Sequence, residues 1–237
     1  MSTSNPIAIV TGASTGIGKH ISIKLSQNNF HVILISRNKL KLRAVEKKIK
    51  EDGFDCSTII ADISKNDSFD KMTLEINKHK RIDVLVNNAG IGVFNKIEDT
   101  LLSDWDSQIN TNLRGSFIMT KMVVKDMIEN KSGKIVFINS VAGLKPYPFS
   151  SGYVASKYGL RGFAASLREE LREHNIKVIS IHPGAIDTPF WDNVKADFPR
   201  SEMLSSEDVA NSIVEAILAK NNVVHEELVI RRTAGDF

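Results

Sequence analysis

Short runs of β-branched and aliphatic residues alternate with longer amphipathic segments along the whole chain. Ile7-Ala8-Ile9-Val10 opens the series, and further strand-length runs fall at about 31–35, 56–60, 82–86, 134–138, 177–181 and 227–231. Between them, apolar residues recur at helical spacing over about 17–28, 39–51, 65–79, 101–129, 152–174 and 206–220. Strand and helix in this alternation predict a parallel sheet with right-handed crossovers and helices on both faces. The expected fold is α/β: a single doubly wound domain over residues 1–237, built on a seven-stranded, mostly parallel sheet. No internal repeat, low-complexity tract or linker divides it. One stretch lacks periodicity, about 185–205; with Phe190, Trp191 and Phe198 it reads as a short lid over a site.

Composition agrees with one soluble globular domain: 237 residues, 42% hydrophobic, with 31 Lys plus Arg against 28 Asp plus Glu. A net charge of +3 over this length is a weak electrostatic footprint, so neither a nucleic-acid nor a membrane partner is expected. The single Cys56 excludes an internal disulfide and a cysteine zinc cluster. No apolar run approaches the roughly 18 to 20 residues that span a bilayer. Neither the first residues, Met1 to Pro6, nor the last, Arg232 to Phe237, read as a targeting signal; a cytoplasmic location is expected. The six histidines show no metal-binding spacing, and no Gly-x-Ser-x-Gly nucleophile elbow occurs, so no metal is expected. Lys39, Lys41, Arg43, Lys47, Lys48 and Lys50 crowd one helix with only Glu46 and Glu51 between them, a solvated face or the background to an anionic ligand.

Directly after the first strand comes Thr11-Gly12-Ala13-Ser14-Thr15-Gly16-Ile17-Gly18, then a helix. Glycines there allow a sharp turn, a close approach to a pyrophosphate and tight helix packing, with helix N–H groups facing the phosphates. The chain therefore reads as a Rossmann-type dinucleotide-binding domain, although its Gly-x3-Gly-x-Gly spacing differs from the commonest fingerprint. An NAD site usually ends its second strand with an acid that holds the ribose 2′-hydroxyl. Here the strand ends Ile35-Ser36-Arg37-Asn38. The Arg37 fork and the Ser36 hydroxyl suit a 2′-phosphate, so NADP is favoured over NAD. Asp62 and Ile63 follow the third strand, where a carboxylate could meet the adenine amino group.

The fourth strand leads into Asn87-Asn88-Ala89-Gly90, and the fifth is followed by Ser140, Tyr153 and Lys157, the last two at i and i+4 on one helix face. Taken in order with Gly12, Gly16, Gly18, Asn112 and Pro183-Gly184-x-Ile186-x-Thr188, these residues strongly resemble the short-chain dehydrogenase/reductase family, from Ile7 to about Val214. The resemblance implies that Gly12, Ser14, Thr15, Gly16, Ile17 and Gly18 form the pyrophosphate loop. Asn88, Ala89 and Gly90 would form the adenosine-ribose wall, and Ile186 and Thr188, after the Pro183-Gly184 turn, would hold the nicotinamide carboxamide. It also implies that Tyr153 is the general acid/base, that Lys157 lowers its pKa and binds ribose, that Ser140 positions the substrate oxygen and that Asn112 holds a relay water. A phenol near pKa 10 needs such help, and an ammonium about 4 Å away is worth roughly 4 kcal/mol at an effective dielectric near 20. The chain departs from relatives acting on acyl carriers, whose last strand closes with Asp-Gly-Gly; here it ends Val229 to Phe237.

The implied activity is reduction of a ketone, aldehyde or oxoacyl group by hydride from NADPH. Phe94, Val141, Leu144, Tyr147, Phe190 and Trp191 would line the substrate pocket. Lys125, Arg168 and Arg172 are candidates for a basic entrance should the substrate ride on a carrier protein. Helices 101–129 and 152–174 resemble the family's dimer-forming pair, so a homodimer or homotetramer is expected. Three other readings stay open: a non-catalytic NADP sensor, an NAD-dependent dehydrogenase running in the oxidative direction, and a sugar-nucleotide epimerase or dehydratase.

Overall fold

The computed structural model describes residues 5–79, 81–192, 194, 199–220 and 222–235. Seven strands form one parallel sheet: β1 (Ile7–Thr11), β2 (His31–Ser36), β3 (Cys56–Ile60), β4 (Val84–Asn87), β5 (Gly133–Ile138), β6 (Ile176–Pro183) and, after two short strands described below, β9 (Glu227–Ile230). Their spatial order is β3-β2-β1-β4-β5-β6-β9. The order reverses between β1 and β4, and the crevice beyond the carboxyl ends of those two strands is where such sheets bind ligands.

Parallel strands covered on both faces are apolar at successive positions, which is why they read as continuous runs. Alternate residues then separate onto two cores. Ala8, Val10, Val84, Val86, Val136, Ile138, Ile179 and Ile181 pack under α1 (Gly16–Gln27), α2 (Lys39–Glu51) and α7 (Ser206–Leu218). Ile9, Leu85, Ile135, Phe137 and Val178 pack on the other face under α3 (Phe69–Ile76), α5 (Gly115–Glu129) and α6 (Ser151–Leu171).

Three elements differ from the sequence expectation. The helix expected over 65–79 shrinks to α3, preceded by a 3-10 turn at Asn66–Ser68. The long helix expected over 101–129 is α4 (Leu102–Gln108), a π-helical segment at Ile109–Arg114, then α5. Periodicity cannot reveal one extra residue per turn, and the segment coincides with a buried asparagine that bonds outside the helix. The aperiodic stretch contains a two-stranded parallel ribbon, β7 (Ile186–Asp187) against β8 (Leu204–Ser205). Arg200 ties it together, bonding Asp192 at 2.8 Å, the Thr188 carbonyl at 3.0 Å and Asp187. Phe198 lies outside the described residues. Among the described residues, no helix is long and apolar enough to cross a membrane.

Candidate active site

The glycine loop leaves β1 through Gly12 (φ +64°) and enters α1 at Gly16 (φ +53°), both in the left-handed region that favours glycine. The turn is anchored from β4. Thr11 Oγ1 accepts the Asn88 and Ala89 amides at 3.0 and 3.1 Å, and Asn88 Nδ2 donates to the Thr11 carbonyl at 2.8 Å and the Gly12 carbonyl at 3.3 Å. Asn88 is therefore spent on shaping the loop. Gly18 makes this closeness possible, because a Cβ there would stand 2.3 Å from Asn88 Nδ2 and 2.5 Å from the Gly12 carbonyl oxygen. Gly18→Ala is expected to destabilise the fold by on the order of 1–3 kcal/mol and to lower the thermal midpoint accordingly, which differential scanning fluorimetry would read.

Thr188 closes the loop's far side, its Cγ2 only 3.0 Å from where a Gly16 Cβ would stand. Ser14 and Ser36 share a hydrogen bond of 2.8 Å, joining the glycine loop to the end of β2. Arg37 is exposed and stands 3.7 Å from Asp62 Oδ2. Burial pulls the Asp62 carboxyl up, but two hydrogen bonds from Ser64 and the Arg37 charge outweigh it and hold its pKa below the usual carboxylate range. Beside the loop, Ser14, Thr15 and Gly16 border a cavity of about 730 Å³ that Lys19, Lys41 and Lys48 also line. Much of the basic run is paired within its own helix, Lys48 with Asp52 at 2.8 Å and Lys50 with Glu46 at 2.8 Å. The glycine turn, the helix N-terminus behind it and the serine and arginine at the tip of β2 fit a phosphorylated dinucleotide. Ile17 and Ile63 contribute packing: Ile17 lies against the core, and Ile63 is buried where a Gly115 Cβ would come within 2.8 Å of it.

At the crevice's other end, β5 delivers Ser140 and α6 delivers Tyr153 and Lys157. The Ser140 hydroxyl accepts the Ala142 amide at 3.1 Å and bonds the Tyr153 phenol. Lys157 is buried, donates to the Ile138 carbonyl at 2.9 Å and stands 5.6 Å from the Tyr153 ring centroid. Here the expected depression of the phenol is reversed. Burial pushes Tyr153 up to about 12, the Ser140 hydrogen bond opposing it, while burial alone brings Lys157 down to about 8. The cause is geometric, since the ammonium is turned to a backbone carbonyl and faces the ring, leaving desolvation to dominate both groups.

A stability signature follows. Between pH 8 and 10.5 the unfolded chain holds the Lys157 proton and the folded chain releases it, so this residue makes stability rise with pH. Tyr153 acts oppositely only above about pH 10, where the unfolded phenol ionises and the folded one stays neutral until about 12. In nucleotide-free protein, the difference in thermal midpoint between the wild type and Lys157→Met is expected to change over pH 8 to 10, with the wild type gaining. A pH-independent difference would contradict the buried, depressed lysine.

Asn112 lies in the π-helical segment with its side chain fully engaged. Oδ1 accepts the Ile91 amide at 2.8 Å, and Nδ2 donates to the Ile91 carbonyl and to Ser156 Oγ, each at 2.9 Å. It thus clamps the loop after β4 to α6. Its backbone carbonyl accepts from Ser116 Oγ at 2.9 Å. The sequence reading passed over Gln108, which receives the Val93 amide at 2.9 Å and steadies the same loop, and over Arg200 beside the β7–β8 ribbon.

Aromatic rings crowd the phenol. Phe94 meets Tyr153 at 5.5 Å edge-on and lies nearly parallel to Trp191, 9° apart at 6.2 Å; Phe190 is 5.6 Å from Tyr153. Gly92 admits these rings, because a Cβ there would stand 2.4 Å from Phe190 and 2.8 Å from Phe94. Of the other expected pocket residues, Val141 is buried, Leu144 is half-buried and Tyr147 carries the Lys145 ammonium over its ring at 5.2 Å. The basic entrance is not formed by Arg168, which is buried and donates to the Val178 and Glu226 carbonyls. Arg172 pairs with Glu169 and Glu226, and Lys125 with Glu129.

The profile of the short chain dehydrogenases matches residues 6–198. This chain belongs to the short-chain dehydrogenase/reductase family. A sepiapterin reductase of Chlorobaculum tepidum is 36% identical over 238 aligned positions, covering 97% of each protein. A 3-oxoacyl-[acyl-carrier-protein] reductase of a Synechocystis strain is 35% identical over 214 positions, covering 87% of each. Among solved structures, a metagenomic short-chain oxidoreductase in complex with NADP superposes with a TM-score of 0.85 at 33% identity, over 98% of this chain and 99% of that one. The match to the family settles the oxidoreductase class, and the seven-stranded parallel sheet is the family's fold.

Proposed function

We propose that the protein reduces a carbonyl group to an alcohol with NADPH, and that the carbonyl is borne by a flat, conjugated body. The observation that carries the reading is the convergence of Ser140, Tyr153 and Lys157 under the Phe94, Phe190 and Trp191 rings. Bound NADPH would supply the hydride. Gly12 to Gly18 would hold its pyrophosphate, Ser36 and Arg37 its 2′-phosphate, and Pro183, Gly184, Ile186 and Thr188 its nicotinamide end. The NADP complex of the 33%-identical oxidoreductase supports that cofactor.

Tyr153 donates the proton to the carbonyl oxygen. A phenol held neutral by burial carries the proton it would donate at neutral pH. The Ser140 hydroxyl orients the oxygen and stabilises the charge developing on it. Lys157 carries the positive charge that balances the tyrosinate left behind and binds the nicotinamide ribose. Asn112 acts by fixing the loop on which Ala89 and Gly90 lie. A sensor without chemistry would not need these groups together.

The near-parallel Phe94 and Trp191 rings suit a planar substrate, since aromatic faces stack offset on flat partners. The exposed Phe117 of α5 and Tyr158 of α6 lie on the helices through which a homodimer would form. The test is the initial rate of NADPH oxidation, with NADH in parallel, against ring-bearing ketones, diketones, aldehydes and oxoacyl thioesters. Turnover with NADPH, highest on the flat ketones, is expected. NADPH binding without turnover on any carbonyl would point to the sensor, and a preference for aliphatic thioesters would remove the planar-substrate reading.

A further inference from the structure

His182 stands near the end of β6, fully buried in a strand whose other buried positions include Ile176, Val178, Ile179 and Ile181 and one further polar residue, Ser180. Burying an imidazole without hydrogen bonds is costly, so its partners deserve identification. Nδ1 lies 3.3 Å from the Ser140 carbonyl oxygen. That carbonyl also accepts the Gly143 amide at 2.9 Å and thereby closes the turn that presents the Ser140 hydroxyl. Nε2 has no hydrogen-bond partner among the described residues and faces Glu227 Oε1 at 3.7 Å. Glu227 is in turn held by both arms of Arg161, each at 2.9 Å. Arg161 follows Lys157 by one turn of α6, so the brace and the catalytic lysine share one helix.

The carbonyl can only accept, so a bond to it requires the proton on Nδ1. We propose that His182 is a positioning residue for Ser140: its Nδ1–H holds the Ser140 turn from behind, where the carbonyl oxygen stands 3.3 Å away. The inference rests on the carbonyl-reduction reading for its kinetic consequence, but the tautomer does not depend on that reading. The charged groups facing the ring are Lys157 and Arg161 from α6 and Glu227 from β9. Burial, with the two cations, holds the imidazole below its ordinary pKa against the pull of Glu227 and the Ser140 carbonyl. The neutral Nδ1–H form is the resting one at neutral pH.

Two variants separate positioning from packing. Asparagine can place a side-chain N–H near the Nδ1 position, whereas leucine fills volume and donates nothing. His182→Leu is expected to lower kcat by about tenfold or more, with NADPH affinity by fluorescence within about twofold of wild type. His182→Asn is expected to keep kcat within about threefold of wild type. Nitrogen-15 NMR of the wild type, with the His182 signals assigned by their loss in His182→Asn, is expected to show the Nδ1–H tautomer. Equal kcat in both variants, whether both impaired or both normal, or an Nε2–H tautomer, would overturn the proposal. Wild-type protein inactive on every carbonyl would instead refute the reduction reading and leave the tautomer to decide this one.

Discussion

Tyr153→Phe is expected to lower kcat for carbonyl reduction by about 10³-fold, within the usual range for loss of a positioned general acid, while NADPH still binds. The substitution removes one oxygen from a ring already packed between Phe94 and Phe190, so the site's shape is retained. It also removes the hydroxyl of a half-buried tyrosine whose partner is the Ser140 hydroxyl, which then loses that bond. Stability should therefore change by no more than about 1–2 kcal/mol, as for one hydrogen bond lost at a buried site. Steady-state kinetics beside nucleotide titration by fluorescence separate the effects. A variant retaining more than a tenth of wild-type kcat would show that the proton comes from elsewhere.

Arg37→Ala is expected to raise the KM for NADPH by about 10- to 100-fold and to leave that for NADH nearly unchanged, since a charge-assisted bond contributes about 1.5–3 kcal/mol. Arg37 is exposed and stands 3.7 Å from the Asp62 carboxylate, a loose surface pair that contributes little to the fold. The thermal midpoint should accordingly hardly move. The ratio of kcat/KM for the two nucleotides is the measurement. Equal losses with NADPH and NADH would assign Arg37 to some part of the nucleotide other than the 2′-phosphate.

Much of this site was legible before any coordinates. Gly12, Gly16 and Gly18 stand where strand gives way to helix, and the structure explains each: two by a positive φ, the third by the 2.3 Å that separates a hypothetical Cβ from Asn88. Tyr153 and Lys157 share a helix face by spacing alone. What stayed hidden depended on partners far away in the chain. Nothing local marks Asn112 as a clamp on Ile91, twenty-one residues earlier, or Arg168 as a buried brace instead of a surface cation. The ionisation of the site depends on distant partners for the same reason. Spacing places an ammonium near a phenol, but only the fold shows the Ile138 carbonyl that accepts its hydrogen bond and the burial that raises the phenol.

The sequence by itself determined the alternation of strand and helix, the single sheet and the candidate groups for the chemistry, because periodicity and residue type are local properties. The tertiary structure decided which of those groups meet. It brought Thr188 onto the glycine loop, closed the aromatic rings over Gly92 and set His182 behind Ser140, because proximity between distant segments is fixed by how the layers pack. Burial then set their protonation, since desolvation depends on everything that surrounds a group, near or far along the chain.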